Sequence, residues 1–313
     1  MAMTTNGFTH HLSVTICNGT LWLGLIAAVA NGAATNAGAW EPKNKPVLAG
    51  QIALELDSPT LTESSGLAFS GVDPQCVWSH NDSGDKARLY AFTVNGRHCG
   101  RLALRGVKAH DWEDMASFDD DGPRLLVADV GDNDSRRQSV SMYIFDEPSP
   151  RARTLVASFQ QLVVRYPGGP LNCESVAVDV PRRRILLLAK SPLMATMFEV
   201  PLPKRGNASE SSELDGSVIQ VDAKRVQTLA IPLATGMDLC AKTGDLWIAN
   251  YLQAYHFPYS ERLPLETRLR QMPGIVELPM LKQVEAIAVD DQGRVWVTSE
   301  GRPAKMQRLT VAP

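Results

Sequence analysis

The chain has 313 residues, 44% of them hydrophobic and 21% charged, with a formal net charge of -3. That balance fits a soluble globular protein, and the absence of a basic stripe excludes a nucleic-acid-binding surface. The short "PRRR" at 181–184 is too brief to change this and reads as a solvated turn.

Residues 1–39 contain no Asp, Glu, Lys or Arg and carry the apolar run "LWLGLIAAVA" at 21–30, followed by Ala37-Gly38-Ala39. This is the pattern of a cleaved export signal, with an uncleaved N-terminal anchor as the alternative, and the run falls short of the roughly 20 apolar residues that span a membrane. The expectation is a periplasmic or extracellular protein whose mature part, residues 40–313, is a single domain and a monomer without a stable membrane span. Cys17 lies inside the signal, which leaves Cys76, Cys99, Cys173 and Cys240, an even number for an oxidising compartment. Cys76 opens one strand and Cys99 sits in a hairpin two strands later, so this pair is expected to form a disulfide. Cys173 and Cys240 are expected to be buried thiols.

The strand "GQIALEL" (50–56) stands outside any repeat. After it, five segments share one grammar, beginning "ESSGLAFS" (63–70), "DWEDMASF" (111–118), "NCESVAVD" (172–179), "ATGMDLCA" (234–241) and "QVEAIAVD" (283–290). Each continues through a turn into a second apolar strand ("CVWSHNDSG", "RLLVADVGDN", "RILLLAKS", "DLWIANY", "RVWVTSEG") and then a third ("RLYAFTV", "SMYIFDEP", "TMFEVPL", "QAYHFPY", "KMQRLTV"). The longest helical stretch, "SERLPLETRLRQM" (260–272), is interrupted by Pro264. Repeats of about 50–60 residues with three or four strands describe an all-β fold, the β-propeller. Five blades are legible. A sixth would have to lie in the connections 138–170 or 203–232, where "KRGNASESSELDGS" (204–217) reads as a surface loop. The strand at 50–56 is expected to complete the last blade and close the ring.

In a propeller the first strand of each blade is innermost and runs antiparallel to the second, so first-strand starts and second-strand ends share one mouth of the central channel. The polar residues fall at those two places. Glu63, Asp111, Glu113, Asn172, Glu174 and Glu285 stand at the starts, and His80, Asn81, Asp82, Asp129, Asp132, Asn133, Lys190, Asn250, Tyr251 and Glu300 at the ends. Gathered carboxylates raise each other's pKa and need cations, shared protons or a metal. Lys190, Arg136 and Arg137 are few for so many acids, and an oxygen-only donor set suits Ca²⁺. Zinc is disfavoured by scarce His and unsuitable Cys spacing. The expected metal ligands are Glu63, Glu113, Asn172, Glu174, Glu285, Asp129 and Asp132. The expected ligand-contacting residues are Asn81, Asp82, Arg136, Lys190, Asn250 and Tyr251. The competing reading is that Asp and Asn at strand ends merely bond local backbone. Trp78, Trp247 and Trp296 recur in second strands and read as packing between blades. His80, His110 and Glu174 are the candidate general acids or bases. No G-x-S-x-G or phosphate-cradling Gly loop is present.

With "ESSGLA", "HNDSG", "DWEDMA", "ADVGDN", "TGMDL" and "EAIAVDDQGRVWVTSEG" quoted, the chain resembles a group of exported, mostly uncharacterised bacterial propellers, a resemblance that implies six blades of the TolB-like type. More distantly it is similar to calcium-dependent propellers of the gluconolactonase and paraoxonase type. That likeness implies a metal held by Glu63 and Asn172, although Thr235 stands where an Asp ligand is expected. The functions that follow are a Ca²⁺-dependent hydrolase of lactones or phosphoesters, a non-catalytic binding module for an envelope or small-molecule ligand, or a glycosidase with paired carboxylates.

Overall fold

Short runs of branched and aromatic residues between Gly-, Pro- and Asp-containing turns favour strands of five to eight residues, and every repeat folds into one antiparallel sheet. The computed structural model describes residues 53–205 and 218–310. The expectations for the signal segment 1–39, for Cys17 and for most of the loop 204–217 lie outside them. Among the described residues no helix is long and apolar enough to cross a membrane.

The chain enters through β1 (Leu54–Glu55) and builds the first blade from β2 (Ser64–Phe69), β3 (Cys76–Asn81), β4 (Arg88–Thr93) and β5 (His98–Leu104). The second blade starts with β6 (Trp112–Asp119), β7 (Pro123–Asp129) and β8 (Val140–Asp146). The chain then steps back. β9 (Arg153–Val156) adds to the first blade parallel to β5, and β10 (Gln160–Arg165) returns to pair with β8. The third blade holds β11 (Cys173–Asp179), β12 (Arg184–Ala189) and β13 (Ala195–Pro201). From there β14 (Val218–Asp222) reaches back to lie parallel to β10, and β15 (Lys224–Leu229) completes the third blade beside β13. β16 (Ala234–Leu239), β17 (Leu246–Asn250), β18 (Gln253–Phe257) and β19 (Gly274–Glu277) form the fourth, and β20 (Val284–Val289), β21 (Val295–Ser299) and β22 (Lys305–Arg308) the fifth. β1 pairs antiparallel with β22, so the N-terminal strand closes the last blade as its sequence position suggests.

The described residues thus form five sheets. The six blades implied by the family resemblance are not found, because the long connections contribute β9, β10, β14 and β15 as outer strands of existing blades. The longest helical candidate, 260–272, which Pro264 interrupts, holds one turn, α1 (Leu265–Arg268), directly after that proline.

Five apolar clusters fill the spaces between successive blades. One joins the first and second blades around Trp78, another the fourth and fifth around Trp247, and a third the fifth and first around Trp296. The two others join the second to the third and the third to the fourth. The tryptophans therefore pack between blades. Their indole N–H groups also find carboxylates, Trp78 on Glu147 at 2.8 Å and Trp296 on Asp290 at 2.9 Å. "PRRR" is more than a solvated turn. Arg184 is buried, bonded to Asp179 at 2.9 Å and Glu199 at 2.8 Å, and paired with Glu266 of α1.

Across the channel the blades are tied by one carboxyl. Asp114 of β6 is fully buried and accepts from the N–H of Met115 (2.8 Å), of Val176 in the third blade (2.9 Å) and of Met237 in the fourth (3.2 Å). Its truncation strands three buried N–H groups, at about 1–3 kcal/mol each. Asp114→Ala is therefore expected to lower unfolding free energy by at least about 3 kcal/mol in urea titrations, and Asp114→Asn, which keeps an acceptor, by less.

Cys76 and Cys99 come together as expected, with Sγ atoms 3.7 Å apart, but as free thiols rather than a disulfide. Cys173 and Cys240 are buried thiols. Oxidised glutathione is expected to link Cys76 to Cys99 and to raise unfolding free energy by about 3 kcal/mol, as the closure of so short a loop does. Peptide mapping and a urea titration check both parts, and Cys99→Ser removes the effect.

Candidate functional site

The ladder between first and second strands skips one residue in every blade, and always at the same place. The unpaired residues are Ser65, Glu113, Glu174, Thr235 and Glu285. A β-bulge re-aims the extra side chain, and here five bulges at one level surround the channel axis. Two of the five side chains bond to the next inner strand, Ser65 Oγ to the Glu113 carbonyl at 2.9 Å and Thr235 Oγ1 to the Val284 carbonyl at 3.1 Å. The three glutamates line the channel mouth, a cavity of about 190 Å³ shared with Glu63, Asp82, Asn133, Lys190, Tyr251, Gln283 and Glu300.

The two sides of this mouth differ. On the side of the first and second blades, Asp82, Asp111 and Glu113 each offer an oxygen, all within 4.8 Å of one another. Burial, reinforced by Asp111, pushes the Asp82 carboxyl up to about 7. Burial also raises Asp111, and it raises Glu113 well above the carboxylate range with the help of Glu174, Asp82 and Asp111. Asp82 Oδ1 is buried without a hydrogen-bond partner among the described residues. Gly131 makes the approach possible, since a Cβ there would stand 2.1 Å from Glu113 Oε1 and 2.5 Å from Asp111 Oδ2.

On the other side a cation does the balancing. Lys190 Nζ lies 3.2 Å from Glu174 and donates to the Tyr251 hydroxyl at 2.7 Å. Burial opposes its charge, but Glu174, Tyr251 and Glu285 together hold its pKa above the usual lysine value. Burial pushes Glu285 up to about 8 against the pull of Lys190 and Gln283. Beside this side of the mouth, loops adjoining Lys190, Tyr251 and Gln283 expose Leu193 (78%), Leu252 (59%) and Met280 (98%).

Of the expected site residues, Glu63, Asp82, Glu113, Glu174, Lys190, Tyr251 and Glu285 line the mouth. Others are occupied by the backbone. Asn81 accepts from the N–H of Thr62 (2.8 Å) and Glu63 (3.1 Å), and Asp129, at the equivalent strand end, from those of His110 (3.0 Å) and Asp111 (3.3 Å). Asp129 also pairs with Arg137 at 2.7 Å. Asp132 accepts from the N–H of Arg136 and Arg137, at 2.9 and 2.8 Å, and Asn250 from those of Leu252 and Gln253, at 2.9 and 2.7 Å. For these four the backbone reading holds, and Asp129 and Asp132 stand outside the carboxylate cluster. Asn172 supports the cluster from behind, donating to Glu174 at 2.7 Å and Asn133 at 3.0 Å. Arg136 is exposed and meets Asp134.

Neither histidine faces the cavity. His80 is fully buried over Gly66, donates from Nδ1 to the Asn81 carbonyl (2.9 Å), and is lowered to about 4 by burial. His110 is exposed outside the mouth lining. Residues missed as ligand candidates are Asp111, Ser65 and Gln283. Asp111 was legible as the acid two places before Glu113, and Ser65 only through the bulge.

No family model and no curated protein matches the chain. Among solved structures it is similar to the PQQ-bound aldose sugar dehydrogenase of Streptomyces coelicolor, at 14% identity over 83% of this chain and 98% of that one, with a TM-score of 0.45. A gluconolactonase of Xanthomonas campestris gives 12% identity, 85% and 99% coverage and a TM-score of 0.44. A glucose dehydrogenase gives 11%, 84% and 100%, and 0.49. These likenesses are distant, and no residue role passes from them to this chain.

Carboxyls whose folded pKa lies above the unfolded value bind protons more tightly in the folded state. Their stabilisation is complete below the unfolded value near 4 and is lost as pH rises through the folded values, about 7 for Asp82 and about 8 for Glu285. His80, lowered by burial, acts in the opposite sense, but only below about 6.5. Without added metal, the thermal midpoint is expected to fall by several degrees between pH 6.5 and 8.5. Asp82→Asn and Glu285→Gln should flatten that fall in differential scanning fluorimetry.

Proposed function

We propose that the mouth is a Ca²⁺ site formed by Asp82, Asp111 and Glu113, with Glu63 and Glu174 within the same cavity. The supporting observations are the trio of oxygens within 4.8 Å and the Asp82 Oδ1 atom, buried and unpartnered among the described residues. All donors are carboxylates, the class that a hard divalent cation prefers. The lysine of the mouth is already engaged by Glu174 and Tyr251.

On this reading the protein is an exported hydrolase of lactones or phosphoesters. A bound cation of this kind polarises a carbonyl or phosphoryl oxygen and orients water. The chain's own residues complete the site from the opposite wall. Lys190, held protonated by its acidic neighbours, donates to a negatively charged or polarised oxygen. Glu285, with its proton retained up to about 8, supplies that proton to a leaving oxygen. His80, buried and neutral, holds strand ends and takes no part, and so the general acid passes from histidine to Glu285.

A second reading, a cell-envelope binding module, draws on the exposed Leu193, Leu252 and Met280 beside the mouth, an apolar rim suited to a ligand larger than a metal.

The test is a thermal melt with EDTA and then with Ca²⁺ or Mg²⁺ restored. Ca²⁺ at about 100 times its Kd stabilises by about 2.7 kcal/mol, so a gain of a few degrees is expected in wild type and none in Asp82→Asn or Glu113→Gln. No response to either treatment removes the cation site. With Ca²⁺ bound, a lactone and phosphoester panel separates the readings: turnover lost in Glu285→Gln supports the hydrolase, and no turnover on any substrate leaves the binding module.

A further inference from the structure

The channel has a second opening at the far ends of the inner strands. There Leu67 and Phe69 of β2, Met115 and Phe118 of β6, Leu239 of β16 and Val289 of β20 wall a cavity of about 390 Å³. A volume of this order, largely apolar with a few placed polar groups, is what small-molecule sites present.

One side chain in it breaks the pattern of the fold. Three residues beyond the bulge, four of the inner strands carry alanine, Ala68, Ala116, Ala177 and Ala288, and each packs into the cluster shared with the next blade. The fourth blade carries Asp238 at this position. Its carboxyl accepts from the Val289 N–H at 2.7 Å and forms part of the cavity wall. Ionised carboxylates set in apolar surroundings are costly without a partner, and no cationic side chain is bonded to Asp238 among the described residues. Lys242, at the opening, donates instead to the Asp291 carbonyl at 2.9 Å. Asp290 is taken by Arg294 at 2.6 Å. The exposed acids Asp119 and Asp291 leave the rim negative.

We propose that this second opening binds a small amphipathic cation, an amine on a hydrocarbon body, with Asp238 as counter-ion and the aliphatic and aromatic walls around the body. The site is separate from the acidic mouth, and Asp114 with its three N–H bonds closes the channel between them. Burial supports the assignment by raising the Asp238 carboxyl to about 7, a value that an ammonium partner would lower.

Phenethylamine is the probe and 2-phenylethanol its neutral counterpart, titrated into protein carrying ¹³C-methyl methionine. The expected result is saturable movement of the Met115 methyl resonance by the amine, with the alcohol and the Asp238→Asn variant each weaker by about tenfold or more. Ala241→Trp, at the exposed edge of the opening, should weaken binding comparably while leaving Asp238 in place, and so covers the case in which Asp238→Asn does not fold. Saturating Ca²⁺ should leave the amine titration unchanged. Equal binding of alcohol and amine, full binding in the variants, or displacement of the amine by Ca²⁺ would each overturn the proposal.

Discussion

Each inner strand skips one step of its ladder at the level where the channel opens, and the site depends on that repeated irregularity. A regular antiparallel pair would send successive side chains alternately into the two neighbouring inter-blade cores. The extra residue has no such destination, so it turns to the axis. Five sheets doing this at one level place Ser65, Glu113, Glu174, Thr235 and Glu285 in a ring. What lies in the ring then follows from residue type. The two hydroxyl residues are short and bond to adjacent backbone, Ser65 while still lining the cavity, whereas the three glutamates bring carboxylates to it.

One residue further along, the channel is sealed. Gly66 leaves room for the His80 ring, Gly236 lies against the Ala286 backbone, and Asp114 crosses to the third and fourth blades. The Asp114 carboxyl is tolerated at the axis because it accepts from three N–H groups. The seal also explains why the acidic mouth and the apolar opening can differ so sharply in character at the two ends of one short channel.

The architecture was legible because a strand-turn-strand grammar repeated five times survives large changes in individual residues. Blade number was readable by counting the repeats, while the family resemblance pointed to six. The connections 138–170 and 203–232 hold strands that step backwards onto earlier blades, and such parallel additions leave no local sequence mark. The site was half legible. Placing polar residues by strand end brought Asp82, Glu113, Glu174, Lys190 and Glu285 to the mouth correctly, yet the same rule admitted Asn81, Asp129, Asp132 and Asn250. Those four are short side chains that reach nearby N–H groups, which is a local affair. A sequence lists both kinds of strand-end acid in the same way. The bulge, a matter of pairing, marks the three glutamates, whereas Asp82 and Lys190 line the mouth from just past second-strand ends without one.

The mouth therefore contains two solutions to one electrostatic problem. Facing the third to fifth blades, Lys190 pairs with Glu174 and pulls against the burial that still raises Glu285 to about 8. Facing the first and second, no lysine or arginine enters the lining, and Asp82, Asp111 and Glu113 hold protons more tightly instead. Retained protons offset the crowding on that side, since neutral carboxyls need little compensation. A divalent cation taken up there would have to displace those protons, so its affinity would rise as pH climbs past about 7, the value for Asp82. On the opposite wall Lys190 keeps its charge through that range, while Glu285 gives up its proton at about 8. The pH dependence of cation uptake is thus set by the half that lacks a lysine, whereas Glu285 sets that of the opposite wall.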